Sequence, residues 1–279
     1  MPVGFQIVKT RAALFVAWMR ALREGVASPE QALHALRGDD ESIEFRSDAV
    51  SLIPASEVIA AWLTEGWGPA CLVLPVPGDP RGLAGPGPST EAALLAGEAV
   101  VSERAIIVPS VEAFGNSIEG YTTITTWQVF PLATPLVSLP GVGVREADRA
   151  LRAAMVEAVD VLADLNQSRW SPELAEAVAD IRTTRKEGDP FASSLPSPYS
   201  PEARELIARA GVIQRIVDLA STGADADLTS MDNDRRRRAL APLAAAVRQA
   251  LCCGINEAED VDARPATPAV RTNRAGAQQ

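Results

Sequence analysis

Apolar residues Leu14, Trp18, Ala21 and Leu22 recur at helical spacing through residues 10–25 and predict a first helix. Ser28-Pro29-Glu30-Gln31 predicts the start of a second. Ser28 suits the N-cap, Pro29 the first helical position, and Gln31 completes a capping box. That helix should end near Gly38, before the acidic turn Asp39-Asp40-Glu41 and a short strand around Ile43 to Arg46. Residues 55–65 read as a helix closed by Gly66. The continuous apolar run Cys71-Leu72-Val73-Leu74-Pro75-Val76 predicts a buried strand. A Gly/Pro-rich loop follows from Pro77 to Pro88, and Ser89 caps a helix running to about Gly97. Residues 99–108 and 121–130 predict two more strands, the second dense in β-branched and aromatic residues. Gly115-Asn116 and Gly120 between them permit a hairpin.

After Gly141 the pattern becomes helical throughout. Leu151, Met155, Val159 and Leu162 make one stripe; Leu206, Ala210, Ile213 and Val217 a second; Leu240, Leu243, Val247 and Leu251 a third. Ser171-Pro172-Glu173 and Ser200-Pro201-Glu202 repeat the capping chemistry, and a Pro/Ser-rich loop spans Gly188 to Ser200. From Glu257 on there are few large apolar residues, which predicts disorder. The expected fold is therefore α/β (mixed α+β). A small mixed sheet of about four strands, flanked by helices, occupies residues 1–140. A helical C-terminal region, 141–256, packs on it, and 257–279 forms a disordered tail.

Composition narrows this picture. Hydrophobic residues make up 47% of the 279, normal for a globular chain, but aromatics only 5%, so Ala, Val, Leu and Ile should do most of the packing. Lys9 and Lys186 are the only lysines. The net charge of −10 disfavours broad contact with nucleic acid or with anionic membranes. Ala12 to Met19 is apolar behind Lys9 and Arg11, like a signal peptide, yet Arg20 and Arg23 interrupt at once and no small-residue cleavage site follows. It reads as a buried helix, too short to span a bilayer. Cys71 reads as core packing, and the adjacent Cys252 and Cys253 suit neither a redox pair nor a zinc site. The simplest compartment is the reducing cytoplasm, and no metal or cofactor is expected.

Candidate chemistry concentrates in the loop after the 71–76 strand. Gly78, Asp79, Arg81, Gly82, Gly85, Gly87 and Ser89 lie between a strand end and a helix N-terminus, where an anionic ligand finds backbone N–H groups and a partial positive charge. Arg81 would grip the anion and Asp79 would orient Arg81 or a substrate hydroxyl. Against this, no phosphate-loop or dinucleotide fingerprint is present, and four prolines remove donors. The plain alternative is a rigid connection docked on the sheet or on a partner. Arg235, Arg236, Arg237 and Arg238 wrap a helix start behind Asp232-Asn233-Asp234. They are either a solvated surface with local ion pairs or a contact for nucleic acid or an acidic partner. His34, the single histidine, sits beside Leu33 and Leu36 on a helix and reads as a surface or packing residue. Glu91 and Glu98 are placed seven apart on one helix face.

The stretch from Leu72 to Val101, LVLPVPGDPRGLAGPGPSTEAALLAGEAVV, resembles a block of an uncharacterised actinobacterial protein family. The resemblance covers about 30 residues and implies no activity. Two functions are expected from the residues themselves. One is a non-catalytic binding or regulatory protein that acts through contacts with a protein partner or a second copy. The other is an enzyme or sensor for a small anionic ligand held over loop 77–89.

Overall fold

A computed structural model describes residues 10–38, 40–47, 50–80, 82–83, 85–116, 120–133, 142–165, 191, 195–196, 199–222 and 230–257. They form seven helices: α1 Arg11–Arg23, α2 Pro29–Arg37, α3 Ala55–Thr64, α4 Pro88–Ala96, α5 Val144–Leu165, α6 Pro201–Thr222 and α7 Ser230–Asn256. The six strands are β1 Ser42–Ser47, β2 Val50–Ile53, β3 Cys71–Val73, β4 Ala99–Val101, β5 Ala105–Asn116 and β6 Gly120–Pro131. They make one sheet in the order β2-β1-β6-β5-β4-β3. Only β1 and β6 are parallel; every other neighbour pair is antiparallel.

The sheet has six strands rather than about four for two local reasons. The run at 99–108 is broken at Ser102, whose hydroxyl takes the Arg104 and Ala105 N–H groups at 3.2 and 2.9 Å and turns β4 into β5. Four residues, Val50–Ile53, are also enough for an edge strand on β1. β3 is shorter than its apolar run, stopping at Val73 two residues before Pro75, which lacks a ladder donor. The 115–120 hairpin closes as expected, with Asn116 opposite Gly120.

The capping chemistry expected at Ser28 and Ser200 is present, whereas Ser89 does not cap α4. Ser28 and Gln31 form the reciprocal box at α2, and Ser200 Oγ accepts the Ala203 N–H at 3.1 Å at the head of α6. The start at Ser171-Pro172-Glu173, residues 188–190, 192–194 and 197–198 of the Pro/Ser-rich loop, and residues 258–279 lie outside the described residues. Glu257 is described. It closes α7 with a positive φ of 38°, accepts the Ser200 N–H at 2.8 Å and forms an ion pair with Arg20 at 3.1 Å.

The core corrects one expectation and bears out another. Helix α1 is buried on more than one stripe: Phe15, Val16, Ala17 and Met19 are inaccessible, whereas Leu14 and Trp18 are only partly covered. The reason is its position, against the sheet on one side and α7 on another. Ala, Val, Leu and Ile make up most of the buried residues, as expected, and within them four aromatics meet. Phe15 meets Trp127, Trp62 and Phe45 at ring-centroid distances of 5.2, 5.4 and 6.2 Å, and Phe45 stacks on Trp127 at 5.8 Å. Such pairs each contribute about 0.5–1.5 kcal/mol beyond area burial. One apolar cluster continues from these rings to Leu206, Val247 and Leu251 of the C-terminal helices.

Candidate functional site

Side-chain alternation divides one face of the sheet in two. On β5, Ile106 and Val108 point to the face that α4 covers, joined there by Val73, Val101, Phe130 and Ala93. The next residues of the same parity are Ser110, Glu112 and Phe114, and they are exposed. On β6 the same step leads from buried Phe130 to Gln128, Thr126 and Ile124. Register then aligns these positions across three strands. Arg46 stands opposite Gln128 and Gln128 opposite Val108; Glu44 stands opposite Thr126 and Thr126 opposite Ser110. Helix α4, nine residues long, reaches only as far as Val108. Beyond it lies an open groove of about 680 Å³, lined by Glu44, Arg46, Ser110, Glu112, Phe114, Ile124, Thr126 and Gln128, with Ser47 at its margin.

The groove mixes polar hydrogen-bonding groups with an apolar anchor. Arg46 donates to Glu44 Oε2 at 2.9 Å. Ser110, Thr126 and Gln128 offer donors and acceptors, and Phe114 is half exposed at 50%. Between Ser110 and Glu112, Val111 is 49% exposed on the opposite face. Beneath the groove, Asp40 fixes the register of β6 to α1. It pairs with the two terminal guanidinium nitrogens of Arg11 and accepts from the hydroxyls of Thr123 and Thr125, the latter at 2.6 Å. Burial alone would raise its pKa, but the bonds from Arg11, Thr123 and Thr125 outweigh it and hold the carboxyl below the usual value.

The described residues of loop 77–89 make contacts within the loop, with α4 and with α7. The strand it leaves, β3, is an antiparallel edge strand, so no switch point of a parallel sheet opens above it. Val76 and Asp79 exchange both backbone bonds, at 3.2 and 2.8 Å, closing a tight turn around Gly78 (φ 87°). Asp79 Oδ2 accepts from Arg248 of α7 at 3.2 Å. Thr90 Oγ1 donates to the Gly85 carbonyl, and Leu83 packs against the cluster under α4. Helix α4 begins at Gly87-Pro88, one residue before Ser89, with no side-chain cap. Gly82 lies in this turn sequence, and Arg81 falls outside the described residues.

The remaining candidates are dispersed. Arg238 is exposed on α7; the side chains of Arg235, Arg236 and Arg237 are outside the described residues. His34 is exposed on α2. Glu91 and Glu98 do not share a helix, because Gly97 ends α4 in the left-handed conformation (φ 72°) and Glu98 turns away. All three cysteines are free thiols. Among the described residues no three His, Cys, Asp or Glu side chains converge as a metal site would require. The window Arg238–Asn256 of α7 is long and apolar enough to cross a membrane, by length and composition; 44% of it is buried inside this fold.

Sequence reasoning missed the groove. Its signal was present, in the change from Ile106 and Val108 to Ser110 and Glu112 at constant parity, but it becomes visible only once strand β5 is known to extend past Val108. No curated protein and no solved structure matches the chain. Two family models do: the N-terminal domain of Rv1486c-like protein over residues 12–140 and its C-terminal domain over residues 145–252. Both halves of the described fold are thus accounted for in order, and the chain belongs to the Rv1486c-like protein family.

Proposed function

We propose that this chain is a non-catalytic binding protein of the cytoplasm that receives a protein partner on the open half of its sheet. The observation that carries the reading is the half-covered face: α4 stops at Val108, and Phe114 and Ile124 continue the same face without a described cover. Its flanking Glu44, Arg46, Ser110, Thr126 and Gln128 supply the polar rim that protein interfaces use around an apolar anchor. The test is site-specific photo-crosslinking in cells, with the reactive residue at Gln128. The expected result is one dominant protein adduct, lost on Phe114→Asp while the melting temperature stays within a few degrees. An adduct that survives Phe114→Asp, or one formed equally from a reactive residue on exposed Leu95, would overturn it. An adduct to a second copy of the chain would identify the partner as itself.

A second reading puts a small anionic ligand over loop 77–89. It is favoured by the uncapped start of α4 and by Arg248, which brings a cation to Asp79. Pyrophosphate and citrate in a thermal-shift titration would test it. Stabilisation of the wild-type chain and its loss in Arg81→Ala are expected; equal stabilisation of both forms would remove the loop from consideration.

A further inference from the structure

The chain treats the edges of its sheet differently. At β3 the outer edge is occupied at Leu72, where the Asn256 side chain of α7 takes the place of a strand. At the other end β2 has only four residues, and its register on β1 shifts between Phe45 and Ser47. A third edge lies inside the strand order. β4 pairs with β5 at Ile106 and Ile107 only, whereas β5 runs on beside β6 to Asn116. From Ser110 to Asn116 no described strand lies along its outer side. Short strands, bulges, lysine or other charges, proline and covering groups are the usual means of closing an edge. Along Ser110–Asn116 the register on β6 is unbroken, Lys and Pro are absent, and Glu112 is the single charge.

Parity decides which backbone groups face outward. The Ala105 carbonyl accepts the Ser102 N–H at 2.9 Å on the β4 side, and the Arg104 carbonyl accepts the Leu132 N–H at 2.7 Å on the β6 side. Backbone groups alternate between the two neighbours of an antiparallel strand. Odd-numbered residues of β5 therefore point away from β6. Pro109, the first odd position past the β4 ladder, has no N–H to offer. Val111, Ala113 and Gly115 then turn N–H and C=O groups outward, and Val111 and Ala113 are exposed. The side chains of Ser110, Glu112 and Phe114 line the groove beside this edge.

We propose, resting on the groove as a partner site, that the partner binds by strand addition. An extended segment of a different protein pairs with β5 at Val111, Ala113 and Gly115 and lays alternate side chains over the groove. Charge selects the segment. Arg46 is engaged by Glu44 at 2.9 Å, whereas Glu112 makes no ion pair among the described residues, and the whole chain carries −10. A Lys or Arg of the segment sits beside Glu112, and a large apolar residue two positions away on the same face sits beside Phe114. A second copy fits worse. Pairing β5 with its twin puts two Glu112 carboxylates on one face of a short ladder, in chains that each carry −10.

Two experiments on the full chain test this. Amide exchange read by NMR should be fast at Val111 and Ala113 and slow at Glu112 and Phe114, which bond β6. Protected Val111 and Ala113 amides would mean that the edge is already covered, and would overturn the proposal. Photo-crosslinking in cells then compares a reactive residue at Gln128, in the groove, with one at Val111. Both should capture the same protein, through a segment in which the cation and the apolar residue stand two apart. Ala113→Pro removes one outward N–H and spares the β6 ladder, as Pro109 does at the same parity. It should cut the Gln128 adduct by about tenfold, the factor that one net hydrogen bond can supply. Glu112→Lys, a change confined to an exposed side chain, should cut it by about as much through like-charge repulsion. Capture at Gln128 with none at Val111, or a Gln128 adduct unchanged by Ala113→Pro in a folded chain, would overturn strand addition and leave the groove as a partner site. An adduct unchanged by Glu112→Lys would overturn the cationic segment. Capture of a second copy from Val111 would overturn the different protein, and capture at neither position would remove the groove as well.

Discussion

The side-chain amide of Asn256, at the end of α7, pairs with both backbone groups of Leu72 on β3. It accepts the Leu72 N–H at 2.6 Å and donates to the Leu72 carbonyl at 3.0 Å across 184 residues of sequence. An asparagine here does what a neighbouring strand would do, and it blunts the edge of the sheet at that position. Arg20 holds the same corner by donating to the Asn256 carbonyl at 3.3 Å, and the Tyr199 hydroxyl bonds the Ile255 carbonyl at 2.8 Å. The contact therefore ties the C-terminal helices to the sheet through polar groups as well as apolar ones.

Replacing Asn256 with Leu should remove both bonds and leave the Leu72 backbone groups partly buried without partners. The expected loss is about 1–3 kcal/mol in urea unfolding, the cost of unsatisfied buried polar groups. Gln in its place carries the same amide on a longer stem and should recover less than half. A Leu variant as stable as wild type would show that water replaces the amide at no cost.

The Asp40 carboxyl is shifted downward by its partners, whereas burial raises that of Glu98. The folded value of Asp40 is depressed, so its contribution is present above the ordinary carboxylate range and is lost as pH falls through the folded value. Acid unfolding of the wild type should steepen below about pH 4, the unfolded-state range for Asp. Asp40→Asn should flatten that limb and, by leaving Arg11 without its counter-charge, cost about 3–5 kcal/mol at neutral pH. Equal acid limbs in the two proteins would assign the acid sensitivity to other carboxylates.

Gly254 lies where α7 crosses α6. A Cβ added there would stand 2.6 Å from Ile207 Cγ1 and 3.5 Å from the Ala203 carbonyl oxygen. Gly254→Ala should gain helix propensity yet lose stability, by about 1–3 kcal/mol from overpacking. In an Ile207→Ala background, where the clashing Cγ1 is gone, Gly254→Ala should cost less than it does in the wild-type chain. Thermal melts of the two single variants and the double variant measure the coupling directly; simple additivity would place the strain elsewhere.

Local chemistry determined most of the elements. The capping box at Ser28, the Ser200-Pro201-Glu202 start, the β-branched run of β6 and the turn glycines around 115–120 each act within a few residues, so their sequence signals survive without a partner. Periodicity likewise identified α1, but as a one-sided stripe, since nothing within residues 10–25 reveals that a sheet and α7 enclose it from different directions. Proximity across long separations was decided only by tertiary structure. The pairing of Asn256 with Leu72, the capping of α1 by Glu98 and the docking of Arg248 on Asp79 join segments whose own sequences carry no mark of each other. The groove is of the same kind. Residues 106–114 alternate regularly, and which part of that face stays open depends on where the nine-residue α4 comes to rest. Hydrogen bonding and propensity are local, whereas burial belongs to the assembled fold.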